Sequence, residues 1–309
     1  MTARDDAITA LDTALEAARV EGAQSRDAEV ATLTTQLADA ESAISDYQGE
    51  IADYKTQVAA LEADIDRLEA EIEGEQPAPK LAMGMNFKPA GQPFENKAEA
   101  ARIYVDTGRT DIHQEPEFVR AYNAGIRLFV FSWKETTTPR WFGTIPEDVI
   151  WYGCHWHEPE NDIPGTLSLA TWQSRQKTQM TAVRAAGGIP TVILMGYTLS
   201  PASKRNPADY TLPAGLVDVY GIDFYPDKSP NRTQAQMIGA LKDALKVWGV
   251  SRYLLGEYGV IGTAADAVAD IKEVKSLIAD GEVACYWSSQ AAGKPDYGFT
   301  QQTADAWFN

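Results

Sequence analysis

From Val30 to Ile72, apolar or small residues recur at alternating three- and four-residue steps without a gap. One set reads Val30, Leu37, Ile44, Ile51, Val58, Ile65 and Ile72. The other reads Leu33, Ala40, Tyr47, Tyr54, Leu61 and Leu68. A strict 3.5-residue period puts both sets on one helix stripe. Sustained over six heptads, it is the signature of a coiled coil, which a helix packed on its own domain does not need. The preceding Ile8, Leu11 and Leu15 keep the pattern but fall out of phase around 19–27, where Gly22 sits, so a break or stutter is expected there. A charged disordered tail is the alternative, and thirteen core positions in order argue against it.

Composition changes where the heptads end. Residues 1–76 contain no Pro, Trp or Phe, whereas all eight Trp and all sixteen Pro follow. The first 76 residues hold 19 acids and 5 bases, so most of the net charge of −17 resides there, and the remainder is close to neutral. Neither part carries the basic patch that phosphate binding requires, so no nucleic-acid partner is expected. There is no run of 18 apolar residues and no secretory h-region at the start, so no membrane insertion and no signal peptide are expected. Two cysteines, Cys154 and Cys285, provide neither a disulfide framework nor a metal spacing. The expected organisation is an oligomerising stalk over 1–74, a short stiff linker over 75–80 and a globular domain over 81–309. Ile/Val in the first heptad set with Leu in the second leans to dimers, but the Tyr pair and Ala40 blur the rule. Self-association through 1–74 is expected, with a trimer slightly ahead of a dimer.

After the linker, eight apolar runs recur, at 81–87, 101–105, 125–133, 149–156, 189–195, 216–225, 252–259 and 282–289. Helical patterns lie between several of them, as at 169–188 and 232–249. Strands alternating with helices over this length predict an α/β fold, a small (β/α)8 TIM-type barrel preceded by a long N-terminal α-helical coiled coil. The connection 134–148 is too short and too Pro-broken for a full helix. A doubly wound open sheet is the alternative, but no glycine-rich phosphate turn follows the first strand.

In such a barrel, chemistry sits at the C-terminal strand ends. Those ends are Phe87, Tyr104, Trp133, Glu158, Tyr197, Tyr225, Glu257 and Trp287: six aromatics and two glutamates. Aromatic faces around two carboxyls suit a sugar site, because pyranose C–H faces stack on rings and glycosidic cleavage needs a proton donor and a nucleophile or base. His155-x-His157 on a strand would put both imidazoles on one side, as a metal site requires. Such sites draw further histidines, and only His113 remains, so no metal is expected. Strand parity would put Cys154, Trp156 and Glu158 on one side and His155 with His157 on the other. Both cysteines then read as reduced packing residues inside the barrel. Glu160 and Asp162 read as rim or loop-capping residues.

"HWHEPEND" on the fourth strand and "LLGEYG" on the seventh resemble the acid/base and nucleophile motifs of retaining glycoside hydrolases of clan A. The His157-Glu158 pair is similar to glycoside hydrolase family 26, which includes β-mannanases. "ARIYVDTG", "GIDFYP" and "CYWSS" are similar to strands two, six and eight of actinobacterial and phage members. The resemblance covers about 81–309 and implies Glu158 as acid/base and Glu257 as nucleophile. It further implies that His157 binds sugar or tunes the carboxyls and that Tyr225 orients the nucleophile. Trp287 would form the sugar platform, with Arg102 a partner of Glu257 from behind. The aromatic strand ends Trp133, Tyr197 and Tyr104 complete the expected substrate-binding set. Pro-Glu-Asn-Asp after the acid replaces the Met-Asn-Gly of mannanases, which leaves the polysaccharide unassigned.

No cofactor is needed for this chemistry. Glu257 attacks the anomeric carbon, while Glu158, kept protonated by neighbouring negative charge, protonates the leaving oxygen. With the stalk, this suggests a virion tail component that cleaves β-linked polysaccharide of a host surface, in company with other tail proteins. Two alternatives stand beside it. One is a non-catalytic, receptor-binding module on a degenerate barrel, and the other is an extracellular or cell-surface enzyme.

Overall fold

The computed structural model describes residues 3–75, 80–88, 91–226, 233–261, 264–288 and 297–309. Contacts divide the chain into two units, residues 1–77 and 78–309.

The first unit is one helix, α1 (Ala3–Glu75). It runs unbroken through Gly22 and Gly49, so of the break or stutter expected near Gly22 the break is absent, and a stutter is compatible with the continuous helix. One glycine in a helix costs only about 1 kcal/mol relative to Ala, which good helix formers on either side absorb. The hydroxyls of Thr13, Thr34 and Thr56 bond back to carbonyls one turn earlier, at 2.8–3.0 Å. Every large heptad-core side chain from Val30 to Leu61 is more than half exposed in the single chain. No described helix is long and apolar enough to cross a membrane.

The second unit is a closed parallel barrel in sequential order. Its strands are β1 (Ala82–Asn86), β2 (Ala100–Tyr104), β3 (Leu128–Trp133), β4 (Ile150–His155), β5 (Ile189–Met195), β6 (Val219–Phe224), β7 (Arg252–Tyr258) and β8 (Val283–Tyr286). Seven lie within the expected runs, and β2 begins one residue before its run, at Ala100. The helices are α2 (Pro116–Asn123), α3 (Leu169–Ala185), α4 (Gln234–Trp248), α5 (Ala264–Leu277) and α6 (Gln301–Phe308). Local chemistry sets their ends. Ser168 caps α3 by accepting from Thr171 N, Thr233 and Gln236 form a capping box on α4, and Gly249 closes α4 at φ 73°.

The barrel interior is a small cluster that includes Ala100, Val130, Tyr152, Cys154, Ile193, Val219, Leu254, Val283 and Cys285. Both cysteines are free and buried there. The alternate residues face the helices and build the larger core. Where 134–148 leaves no room for a helix, a 3-10 turn, Arg140–Thr144, stands in its place. It inserts Trp141 and Phe142 against the outer face, with Trp141 centred 5.4 Å from Phe131 and 5.7 Å from Trp133. At the N-terminal end of the barrel, Tyr152 donates to Glu282 at 2.7 Å, and Glu282 also pairs with Arg252.

Candidate active site

Alternation along β2 sends Ala100, Arg102 and Tyr104 inward, and along β6 it sends Val219, Gly221 and Asp223 inward. Arg102 and Asp223 meet on the axis with no side-chain exposure, Nη1 to Oδ1 at 3.0 Å. Nη2 of Arg102 also reaches Oε1 of Glu257 at 3.9 Å.

A bulge delivers Glu257 to this position. The β6–β7 register passes from Ile222 opposite Leu255 to Asp223 opposite Glu257, so Gly256 is the extra residue. Leu254 faces the interior and Leu255 the helices. Strict alternation would turn Glu257 outward after Gly256, whereas the bulge turns both inward. Gly256 is also the close-approach residue of the site: a Cβ there would lie 2.0 Å from Arg102 Nη1 and 2.4 Å from Asp223 Oδ1.

Glu257 is 8% exposed, and its two carboxyl oxygens accept from different phenols, Oε1 from Tyr104 and Oε2 from Tyr225. Burial first, then the negative charge of Glu257, pushes the Tyr225 hydroxyl well above its ordinary range. Burial does the same for Tyr104, against the opposing pull of Arg102. Both phenols therefore stay protonated and remain donors. Asp223 is held up chiefly by burial, with Arg102 pulling down and Glu257 and Glu158 pushing up. One guanidinium thus faces two carboxyls, Asp223 and Glu257.

Glu158 enters through a break in β4. Trp156 and Glu158 both have positive φ, 58° and 48°. The amide of Glu158 donates to Ile193 O on β5 at 2.9 Å, and Asn161 Nδ2 donates to its carboxyl at 2.8 Å. These two left-handed residues overturn the expected parity. Trp156 turns outward, with its Nε1 donating to Asp162 at 2.7 Å. His155 and His157 do not share a side. His155 is buried among the helices, where its Nε2 donates to Glu135 O at 2.8 Å and burial pushes it down to about 4. His157 swings to the mouth, its ring 4.9 Å from Tyr104. Burial, then the charges of Arg102 and Lys134, push it down to about 3, so it is a neutral imidazole. Its Nδ1 is shut off from solvent and has no hydrogen-bond partner.

Trp287 stands edge-on to Tyr104 at 5.9 Å, half-buried, completing one wall. Arg102, Tyr104, His157, Glu158, Tyr225, Glu257 and Trp287 are therefore gathered at one mouth. Trp133 is not. It follows Phe129 and Phe131 on the outer face of β3, is 2% exposed, and donates to Gln179 at 3.4 Å, so it packs rather than binds. Tyr197 stands apart after β5, 38% exposed, its hydroxyl donating to Ala202 O. Glu160, expected at the rim, is buried at 1% exposure, whereas Asp162 does cap the loop. Asp223 escaped the sequence reading, although a carboxylate inside the apolar run "VYGIDFY" signals a buried partner.

His157, Asp223 and Glu257 offer ligand atoms within 4.8 Å of one another. Of these, Asp223 is paired with Arg102 and both Glu257 oxygens accept from phenols, whereas His157 Nδ1 has no hydrogen-bond partner.

The sequence matches no family profile and no curated protein. Among solved structures, the chain is similar to GH26C from Muricauda sp. (TM-score 0.52, 11% identity, covering 75% of this chain and 85% of that one). It is also similar to an active-site mutant of a β-1,3-glucanosyltransferase from Rhizomucor miehei in complex with laminaritriose (TM-score 0.51, 9% identity, covering 70% and 92%). The barrel fold is shared with these enzymes.

Gly256→Ala drives a methyl group into the Arg102–Asp223 pair. It is expected to lose about 2 kcal/mol or more of stability by chemical denaturation, as overpacking of a rigid site does. Gly259→Ala, against the more adaptable Tyr225 and Tyr297 rings, should lose less.

Proposed function

We propose that the barrel is a retaining glycoside hydrolase acting on a β-linked polysaccharide, with Glu257 as nucleophile and Glu158 as acid/base. The observation that carries this reading is the Glu257 carboxyl, fixed by two phenols and backed by a buried guanidinium at the C-terminal mouth. A carboxyl held so rigidly is oriented for attack on a carbon above it, and Trp287 offers a face on which a pyranose can rest. Glu257 bonds to the anomeric carbon as the glycosidic C–O bond breaks, and the proton of Glu158 passes to the leaving oxygen. Water then attacks the same carbon, Glu158 takes its proton, and Glu257 is released. Neutral His157 can exchange hydrogen bonds with sugar hydroxyls. The shared fold with glycan-active barrels supports a carbohydrate ligand.

Glu257→Gln should lower release of reducing ends from envelope polysaccharide by about 10³-fold or more. Glu158→Gln should lose polymer cleavage similarly but spare the first step on aryl glycosides with acidic leaving groups, which need no proton. Equal turnover by wild type and Glu257→Gln would defeat the assignment.

For the helix, we infer self-association along the heptad stripe into a coiled-coil stalk, a trimer in preference to a dimer. An isolated helix gains no tertiary packing, and each large apolar side chain buried by a second copy contributes about 1.5 kcal/mol or more. The pairing of stalk and glycan-cleaving head supports a role as a virion tail component beside other tail proteins, where multivalency would raise engagement with a host surface. Light scattering should show an oligomer that Ile44→Asp with Ile51→Asp reduces to monomer. A monomeric wild type would overturn the stalk.

A further inference from the structure

We propose that Glu160 is a positioning residue for the proton donor, acting through Glu158 by clamping the turn that carries it onto the end of β5. This rests on the glycosidase reading for its catalytic meaning but stands on geometry of its own. Glu158 holds a left-handed backbone at φ 48°, ψ 53°, a conformation a non-glycine residue keeps only when its surroundings impose it. The 3-10 turn that follows, Pro159–Asn161, contains Glu160. Its Oε1 accepts from the amide of Met195 at 3.0 Å and from the hydroxyl of Thr198 at 2.7 Å. Its carbonyl accepts from Arg205 Nη2 at 2.8 Å, and Nη1 of the same arginine reaches Met195 Sδ at 3.4 Å. With the Glu158 amide on Ile193 O, the turn is fastened to β5 by backbone and side chain together.

The second oxygen, Oε2, is buried without a hydrogen-bond partner. A buried acceptor left unmet is unfavourable, and an amide could make the same two bonds through its oxygen without placing an ionisable group there. Stability alone therefore does not account for a carboxyl here. The groups that face it are Glu158 from its own turn, Thr198 after β5, Arg205, and Tyr210, whose hydroxyl is in turn raised partly by the Glu160 charge. Burial pushes Glu160 up to about 7. As pH rises through that range, a negative charge develops beside Glu158 and favours its protonated, donor form. The residue thus both fixes the donor and helps it to keep its proton toward neutral pH.

The test compares wild type with Glu160→Ala, Glu160→Gln and Thr198→Val, using activity and amide exchange measured by NMR. Glu160→Ala should lower kcat about 10-fold or more and raise exchange at the Glu158 and Met195 amides, because the turn is released. Thr198→Val should give a smaller loss in the same direction. Glu160→Gln should recover most of kcat, yet its kcat/KM should fall off at lower pH than wild type, a shift that a purely structural role would not produce. Wild-type kcat and wild-type Glu158 protection in Glu160→Ala would overturn the proposal, and so would coincident pH profiles for Glu160→Gln and wild type. If wild type cleaves no polysaccharide at all, the glycosidase reading fails, and the exchange comparison still decides whether Glu160 holds the turn.

Discussion

The site is organised around one buried cation. Arg102 lies on the barrel axis with no exposure, and its guanidinium can balance only one of the carboxyls that face it. A buried ion pair adds little net stability, but losing one partner leaves a bare charge that costs about 3–5 kcal/mol. Asp223 is therefore committed to Arg102, and Gly256 must lack a side chain to leave room for the pair. The bulge that supplies Gly256 is the same one that turns Glu257 inward. Removal of any of the three would disturb the other two.

From that pair the cluster extends upward. The phenols of Tyr104 and Tyr225 both donate to Glu257, and burial keeps them protonated. Neutral His157 fills the gap beside Tyr104. Opposite them, two left-handed residues lift Glu158 out of the β4 alternation, and buried Glu160 ties its turn to β5. Glu257 is thus fixed by the barrel floor and Glu158 by the barrel wall. Two carboxyls held by independent supports are what a two-step displacement needs, since each must keep its place while the other changes state.

Much of this was legible in the sequence. The eight apolar runs identify all eight strands, and the strand ends bring Glu158, Glu257, Tyr104, Tyr225 and Trp287 to one mouth. The rest was hidden for physical reasons. Parity arguments assume an unbroken pleat, so they place His155 correctly, opposite Cys154, but misplace Trp156 and His157 once φ turns positive at 156 and 158. The same assumption holds along β3, where it should have placed Trp133 outside. Composition suggests that "EPEND" is polar and exposed, yet Glu160 finds two donors, one at the end of β5 and one in the turn after it, that only the closed barrel brings near. In α1, the heptad phase slips around Gly22, and a phase slip changes which face is apolar without unwinding the helix.

The central claim is that Glu257 becomes covalently bound to sugar. The most direct measurement is trapping with a panel of 2-deoxy-2-fluoro glycosides bearing good leaving groups, followed by peptide mass spectrometry. The account predicts a single glycosyl adduct on Glu257, slowly released by water and absent from Glu257→Gln. An adduct on another residue, or an enzyme that cleaves polysaccharide with inversion and never accumulates an adduct, would contradict it.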